Sequence, residues 1–515
     1  MYNRWLTTLG GGEQYSLTIA QLLGRKHDVH VISHQPVSQG EVSRRLNLDL
    51  SNVHLDVIPS RSAVELTPLT GEYDLFLNVS YMDFIPSVAR RSASVIFFPA
   101  AFEGEKNARL RYRLGWSIKK WFMVPTLSQG FLRFQNGSIR SQSIETSSPV
   151  HLQLPPSRVS YKVSFDLYSN HPAVKQAGVI LDGILVETVP LKTNGEFQRV
   201  FIDVPVTFNR LHNLVIRSSE PAASPAGSEF VLSQVVVHTP RFKTFQTFFG
   251  SVFGRYGVRF QLLPLPFNHS TIHEAIDTYD AIWAISKFTQ RWIKTYWQRE
   301  SILLYPPVDV EKFSPAPKKN QILSVGRFFA GSHNKKHLEM VKAFKEMVDG
   351  GLKDWELHLV GGSTPGDIHQ DYLENVKSEA AHYPIFIHPD LPHLDMLKLY
   401  NESAIYWHAS GYGEDETRDP VKFEHFGITT VEGMAAGCVP VVIGKGGQPE
   451  IVSHGRNGYL WNSPEQLITY TLRLIRDPGL REKISAISLA DSAAYSKMKF
   501  QDRLDELLND IGIEL

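Results

Sequence analysis

Glu424 and Glu432, with seven residues between them, stand in the run Glu424-His-Phe-Gly-Ile-Thr-Thr-Val-Glu432-Gly-Met-Ala-Ala-Gly437-Cys-Val-Pro440-Val-Val. The pattern predicts a helix opened by a Thr429–Glu432 capping box and stopped at Gly437, with a strand from Pro440. Backbone N–H groups near Phe426, Gly427 and Ile428 would then lie at a helix N-terminus, where the macrodipole favours an anion. Taken as a lone pair, the two glutamates need no more than capping and surface charge to explain them. Upstream, Ser324-Val-Gly326-Arg327 ends an apolar run, and Lys335-Lys336 follows. Preorganised Arg and Lys stabilise phosphate oxygens without a metal, although a single arginine after a strand is more often simply solvated. Gly10-Gly11-Gly12-Glu13 precedes a helical segment. Such a loop lets backbone approach a ligand closely, but alone it is a turn. The 20 histidines are scattered and no Asp-x-Asp pair sits near these residues, so no metal site is expected.

The elements that must position these groups fall into three textures. Up to about residue 125, helix-spaced residues (Gln14–Arg25) alternate with short apolar runs at 28–33, 73–79 and 93–98, which predicts a parallel sheet with helices on its faces. From 126 to 240 the period changes to strand alternation, as in 159–165, 178–181, 199–203 and 214–217. Asp182-Gly183 and Asn194-Gly195 supply hairpin dipeptides, so an antiparallel β-sandwich is expected there. After 241 the α/β texture returns, with runs at 281–286, 302–305, 321–325, 356–360, 385–387, 404–407 and 439–443, and a last helix over 491–508. The reading is α/β with a β module inserted into the first of two α/β domains: 1–125 with 241–313, then 126–240, then 314–490, then a terminal helical segment, 491–515, packing back toward the first domain. Composition agrees with a folded chain: of 515 residues, 42% are apolar and 21% charged. Lys plus Arg and Asp plus Glu number 53 each, and this neutrality argues against nucleic acid as a main partner. The lone cysteine, Cys438, excludes a disulfide framework, and neither a membrane-length apolar run nor a secretory leader is visible, so a cytoplasmic protein is expected.

The run from Glu424 to Val442 resembles the E-x7-E signature of retaining glycosyltransferases of family 4, whose architecture is GT-B, two Rossmann-like domains facing a cleft. The resemblance implies that Glu424 lies beside the donor sugar near the reacting centre and that Glu432 accepts hydrogen bonds from the nucleotide ribose. Gly326-Arg327 with Lys335, or its rival Lys336, resembles the family's pair of cations on the donor diphosphate. Gly11 and Gly12 match the glycine-rich loop, with Glu13 on the acceptor side. Gly446-Gly447-Gln-Pro-Glu450 matches a loop that shapes the sugar pocket. The segments 284–289 and 305–313 match those that close the domains, so the likeness covers about 1–125 and 241–515.

The activity thus implied is transfer of a hexose from a nucleotide-diphosphate sugar to a hydroxyl of a glycan or lipid-linked saccharide, with no cofactor and no metal. The Glu-His-Phe-Gly-Ile form and Tyr305-Pro-Pro-Val-Asp309 tilt the donor toward GDP-mannose. Two departures motivate a non-catalytic binder of sugar nucleotide or glycan as the alternative. Only nine residues precede Gly10, so the first strand is missing or replaced by a short piece. Phe97-Phe98-Pro99 stands where many relatives carry a histidine, and His408 reads as a buried structural residue. Segment 109–122 interleaves Arg and Lys with Leu, Trp and Phe, which fits peripheral contact with an anionic membrane at its inner face, or a helix packed beside the β module. Tyr161, Phe165, Tyr168 and Phe197 are the module's candidate sugar-stacking rings, though alternation makes most of them equally good core residues of a module that serves as a spacer or in oligomerisation.

Overall fold

The structure, a computed structural model, describes all residues except 60–62, 101–120, 125, 130–132, 135–142, 147–149, 156, 170–171, 173, 183, 193–195, 207–211, 219–229, 254–274, 277 and 515. The first domain is one parallel sheet. Its strands lie in the order Val53–Val57, Val29–Ser33, Tyr2, Leu75–Asn78, Arg91–Ile96, Ala281–Ala284 and Ile302–Leu303. The central place is held by a single bridged residue. Tyr2 donates its N–H to Leu77 O and accepts from Val79 N, while Asn3 N donates to Ile32 O. A short piece therefore stands in the first-strand position, too brief for any period to reveal it. The helix Gly11–Leu23 follows and buries Leu17, Ile19, Ala20, Leu22 and Leu23.

Between Arg91–Ile96 and Ala281–Ala284, neighbours in that sheet, the chain builds a β-sandwich. One five-stranded antiparallel sheet runs from Ile184–Pro190 to Thr126–Gln129, the other from Gln198–Val204 to Arg133–Phe134. Alternation is clean where it can be followed: Val200, Ile202 and Val204 are buried and Arg199, Phe201 and Asp203 exposed. One strand, Phe230–Val237, carries both Phe230–Leu232 and Val235–Val237, and its register slips between Ser233 and Val236. A bulge of this kind breaks the period-2 pattern and makes one strand read as two. Tyr161 and Phe165 are core residues, while Phe197 is exposed against Tyr168, and Phe201 is more exposed still. Segment 109–120 lies outside the described residues; Phe122 packs on the module's core and Trp121 is exposed beneath the Arg241 guanidinium.

The second domain is a six-stranded parallel sheet ordered Ile385–Pro389, Glu356–Gly361, Lys319–Val325, Ser403–His408, Val439–Ile443 and Tyr459–Trp461. Its central strands are apolar on both faces, as covering helices require. The terminal helical segment breaks once: Pro478–Ser492 ends, a 3-10 turn spans Ala493–Tyr495, and Ser496 caps a new helix, Lys497–Asp510. Phe500, Leu504, Leu507 and Leu508 of that helix join the core around Leu17 and Leu23 of the first domain.

Candidate active site

In an open parallel sheet, ligand-binding groups gather beyond the carboxyl ends of the strands, and both domains turn those ends toward each other. Gly326 and Arg327 follow strand Lys319–Val325, and His408 ends the adjacent strand Ser403–His408. Gly326 is needed there, since a Cβ on it would lie 2.6 Å from Lys335 Cγ. Lys335 thus crosses the strand end, and its Nζ donates to Glu424 Oε2. His408 Nε2 donates to the same oxygen at 2.9 Å. Burial, the largest single influence on Glu424, opposes its charge; Lys335 and His408 together outweigh it and hold the carboxyl well below the usual range. Burial also lowers His408 against the pull of Glu424, so the ring is neutral at pH 7 and donates through Nε2, while Nδ1 is buried with no hydrogen-bond partner among the described residues. His408 is buried, as expected, and its ring also meets Glu424.

The helix after Glu424 begins at Ile428, with Gly427 as its N-cap in the left-handed region (φ 118°) and no side-chain cap. The Thr429–Glu432 capping box does not form. Glu432 instead accepts from Lys312 Nζ at 2.9 Å and from Tyr400 OH at 3.0 Å, so its partners come from the interdomain connection and a neighbouring helix. The Arg327 guanidinium, exposed, lies 6.0 Å from the Phe329 ring and makes no hydrogen bond or ion pair among the described residues. Lys336 turns the other way, onto Glu414 at 2.7 Å.

Across the cleft, the glycine loop meets this helix start directly: a Cβ on Gly11 would lie 3.0 Å from Ile428 Cδ1. Glu13 Oε2 accepts from Gly10 N (2.8 Å) and Thr8 Oγ1 (2.6 Å). The carboxylate proposed for the acceptor side therefore closes its own loop. Phe97 stands 3.6 Å from the same Cβ position on Gly12 and packs edge-on against Tyr15. Phe98 stacks on His425 with ring centres 4.3 Å apart. Tyr81 OH lies 3.3 Å from His333 Nε2, and His333 is edge-on to His425 at 5.6 Å. The histidines are not all scattered, since His333, His408 and His425 converge around Glu424 from three segments. Their common signal was position, because each lies at or beyond a strand's carboxyl end. Glu450, in the loop expected to shape the pocket, instead accepts from the N–H groups of Lys287 (2.8 Å) and Phe288 (2.7 Å) in the first domain and from Tyr305 OH (3.1 Å).

Residues 308–488 match the family model described as "Glycosyl transferases group 1". Over 215 residues (38% of this chain) the protein is 27% identical to a GDP-Man:Man(3)GlcNAc(2)-PP-Dol alpha-1,2-mannosyltransferase of Caenorhabditis elegans. It is 24% identical over 234 residues (42% of this chain) to the protein so described in Dictyostelium discoideum. Each match spans 43% of the relative's length, less than half. Among solved structures, a glycosyltransferase from Rickettsia africae ESF-5 superposes with a TM-score of 0.50 at 13% identity, covering 99% of this chain and 97% of that one. Anabaena Alr3699/HepE, in complex with UDP and glucose, gives 0.50 at 12% identity, covering 99% and 98%. Residues 308–488 are thus similar to the glycosyl transferases group 1 domain, and they sit in a GT-B frame of two Rossmann-like domains.

Proposed function

We propose that the protein is a retaining hexosyltransferase of the family 4 type, taking mannose from GDP-mannose to a hydroxyl of a glycan or lipid-linked saccharide. The observation that carries the reading is the Glu424–Lys335–His408 cluster at a helix start, directly opposite the glycine loop of the other domain. The mannose donor draws support from the two relatives named for GDP-mannose. Glu424 would orient the sugar. Arg327, Lys335 and the N–H groups at Phe426–Ile428 would take up the charge that develops on the leaving diphosphate. The bond from the anomeric carbon to the diphosphate breaks while the acceptor oxygen bonds to that carbon on the same face, and the acceptor's proton passes to the departing phosphate. Ribose hydroxyls would replace Lys312 or Tyr400 on Glu432. Domain closure excludes water and limits hydrolysis. No metal has a part in this scheme, so transfer should survive EDTA.

One observation favours the non-catalytic alternative: Phe97, an apolar ring, faces Gly12 where a polar group would serve chemistry. Thermal shift with GDP, UDP and ADP on wild type and Glu432→Ala, followed by a transfer assay, separates the readings. A ligand at 100 times its dissociation constant adds about 2.7 kcal/mol. A shift with GDP alone, lost in Glu432→Ala, followed by mannosyl transfer supports the enzyme. The same shift without transfer to any lipid-linked or free saccharide supports the binder. A lipid-linked acceptor would bring the chain to a membrane, with 109–122 as the proposed contact; co-sedimentation that ignores anionic lipid counts against it.

A further inference from the structure

Two histidines and an aspartate converge at the outer edge of the first-domain sheet. They lie at the amino ends of its strands, the side opposite the cleft. His30 and His54 are direct partners in the parallel register of Val29–Ser33 and Val53–Val57, which puts both side chains on one face. Their rings stack at 4.7 Å and 19°. Asp28, leading into the first of these strands, places Oδ1 3.3 Å from His54 Nε2 and Oδ2 3.6 Å from His30 Nε2. The three donor atoms lie within 4.8 Å of one another. Behind them Asp56 Oδ2 accepts from His30 Nδ1 at 2.6 Å. With Nδ1 turned to Asp56, Nε2 faces the Asp28 carboxylate at 3.6 Å, with room for a cation between the two.

We propose that Asp28, His30 and His54 bind one divalent transition-metal ion, Zn²⁺ first among them, with Asp56 as the outer carboxylate that orients His30. Zinc bonds of about 2.0–2.1 Å in a tetrahedron set ligand atoms roughly 3.3–3.4 Å apart; the Asp28 Oδ1–His54 Nε2 separation of 3.3 Å matches this, and the other donor pairs, within 4.8 Å, would draw in around the ion. Two imidazoles with one carboxylate suit zinc, and a carboxylate behind a ligating histidine is the usual outer support. Asp28 (76% exposed) and His54 (62%) leave the fourth position open to water and give the ion a path in. The ion would tie the turn at 24–28, which ends the helix carrying the glycine loop, to the sheet's edge strands. None of this depends on the transfer reaction.

The test is calorimetric titration of ZnCl₂ into the full chain after EDTA treatment and dialysis. One site per chain is expected, absent in His54→Ala and weakened about 10- to 100-fold in Asp56→Asn. His388→Ala, at another close histidine pair (His358 Nδ1 to His388 Nε2, 3.0 Å), should leave it intact. Asp28→Asn, which keeps side-chain shape, repeats the test should His54→Ala fail to fold. Unchanged zinc binding in His54→Ala or Asp28→Asn, loss in His388→Ala instead, or no binding by wild type would each overturn the proposal. If His30 merely bridges Asp28 and Asp56 as an imidazolium, the titration shows no site.

Discussion

Glu424 is held by one cation and one neutral histidine on the same oxygen, an arrangement that keeps it ionised yet short of a second charge-bearing partner. Glu424→Gln should lower any transferase rate on the order of 100-fold or more. It should also destabilise the fold by about 1–3 kcal/mol in urea titration, because Lys335 is left partly buried without its counterion. The nearby histidines set the acid limit. Burial, chiefly, holds His337 and His425 down to about 3, so both are neutral in the fold at pH 7. Below about 6.5 the unfolded chain takes up these protons first. Stability is then lost as pH falls, at about 1.4 kcal/mol per pH unit for each group, through the window from 6.5 to about 3. Glu424, whose pKa is depressed, adds its own loss only below 4.5. Urea midpoints at pH 7, 6 and 5 should fall in step, and His425→Phe, which keeps a ring on Phe98, should flatten the slope. A midpoint constant from pH 7 to 5 would contradict this account.

At the scale of elements, the helix Ile428–Ala435 depends on how its N-cap residue is turned. Gly427 has φ 118°, and a Cβ there would lie 2.3 Å from Gln448 Nε2. Gly413 has φ 77° but open space around it. Gly427→Ala should therefore cost at least about 2–3 kcal/mol and weaken nucleotide binding, whereas Gly413→Ala should cost about 1–2 kcal/mol of backbone strain and leave binding unchanged. Chemical denaturation and GDP titration of the two variants make the comparison. What sequence could show at this scale followed from period: apolar runs spaced by helices lead to parallel sheets, and alternation over 159–217 to a sandwich. What it could not show came from tertiary partners. Tyr2 is a strand of one residue, identifiable only by its neighbours Ile32 and Asn78. The Thr429–Glu432 spacing imitated a cap because Lys312, 120 residues away in sequence, is invisible to local pattern. His333, His408 and His425 meet only once the parallel sheet is built.

For the whole molecule, the two domains are joined by more than their connecting chain. Glu450 fastens onto the start of helix Lys287–Trp297, and Arg291 pairs with Glu416 across the same face. Glu450→Ala would leave two N–H groups and Tyr305 without their acceptor, a cost of about 1–3 kcal/mol. Its melting temperature should drop, and small-angle scattering should report a larger radius of gyration that GDP restores. Identical scattering from variant and wild type would show that Glu450 does not hold the domains together.

The packing of Lys497–Asp510 on Gly11–Leu23 bears on how the protein comes off the ribosome. The second domain's sheet is drawn from one continuous stretch, Lys319 to Trp461, and can form once that stretch has emerged. The first domain must wait: two neighbouring strands, Arg91–Ile96 and Ala281–Ala284, are separated by the whole sandwich, and its core lacks Phe500, Leu504 and Leu507 until helix Lys497–Asp510 is made. The half of the protein that is synthesised first is thus the half that is finished last, and its unsealed apolar face is what a nascent-chain chaperone would meet.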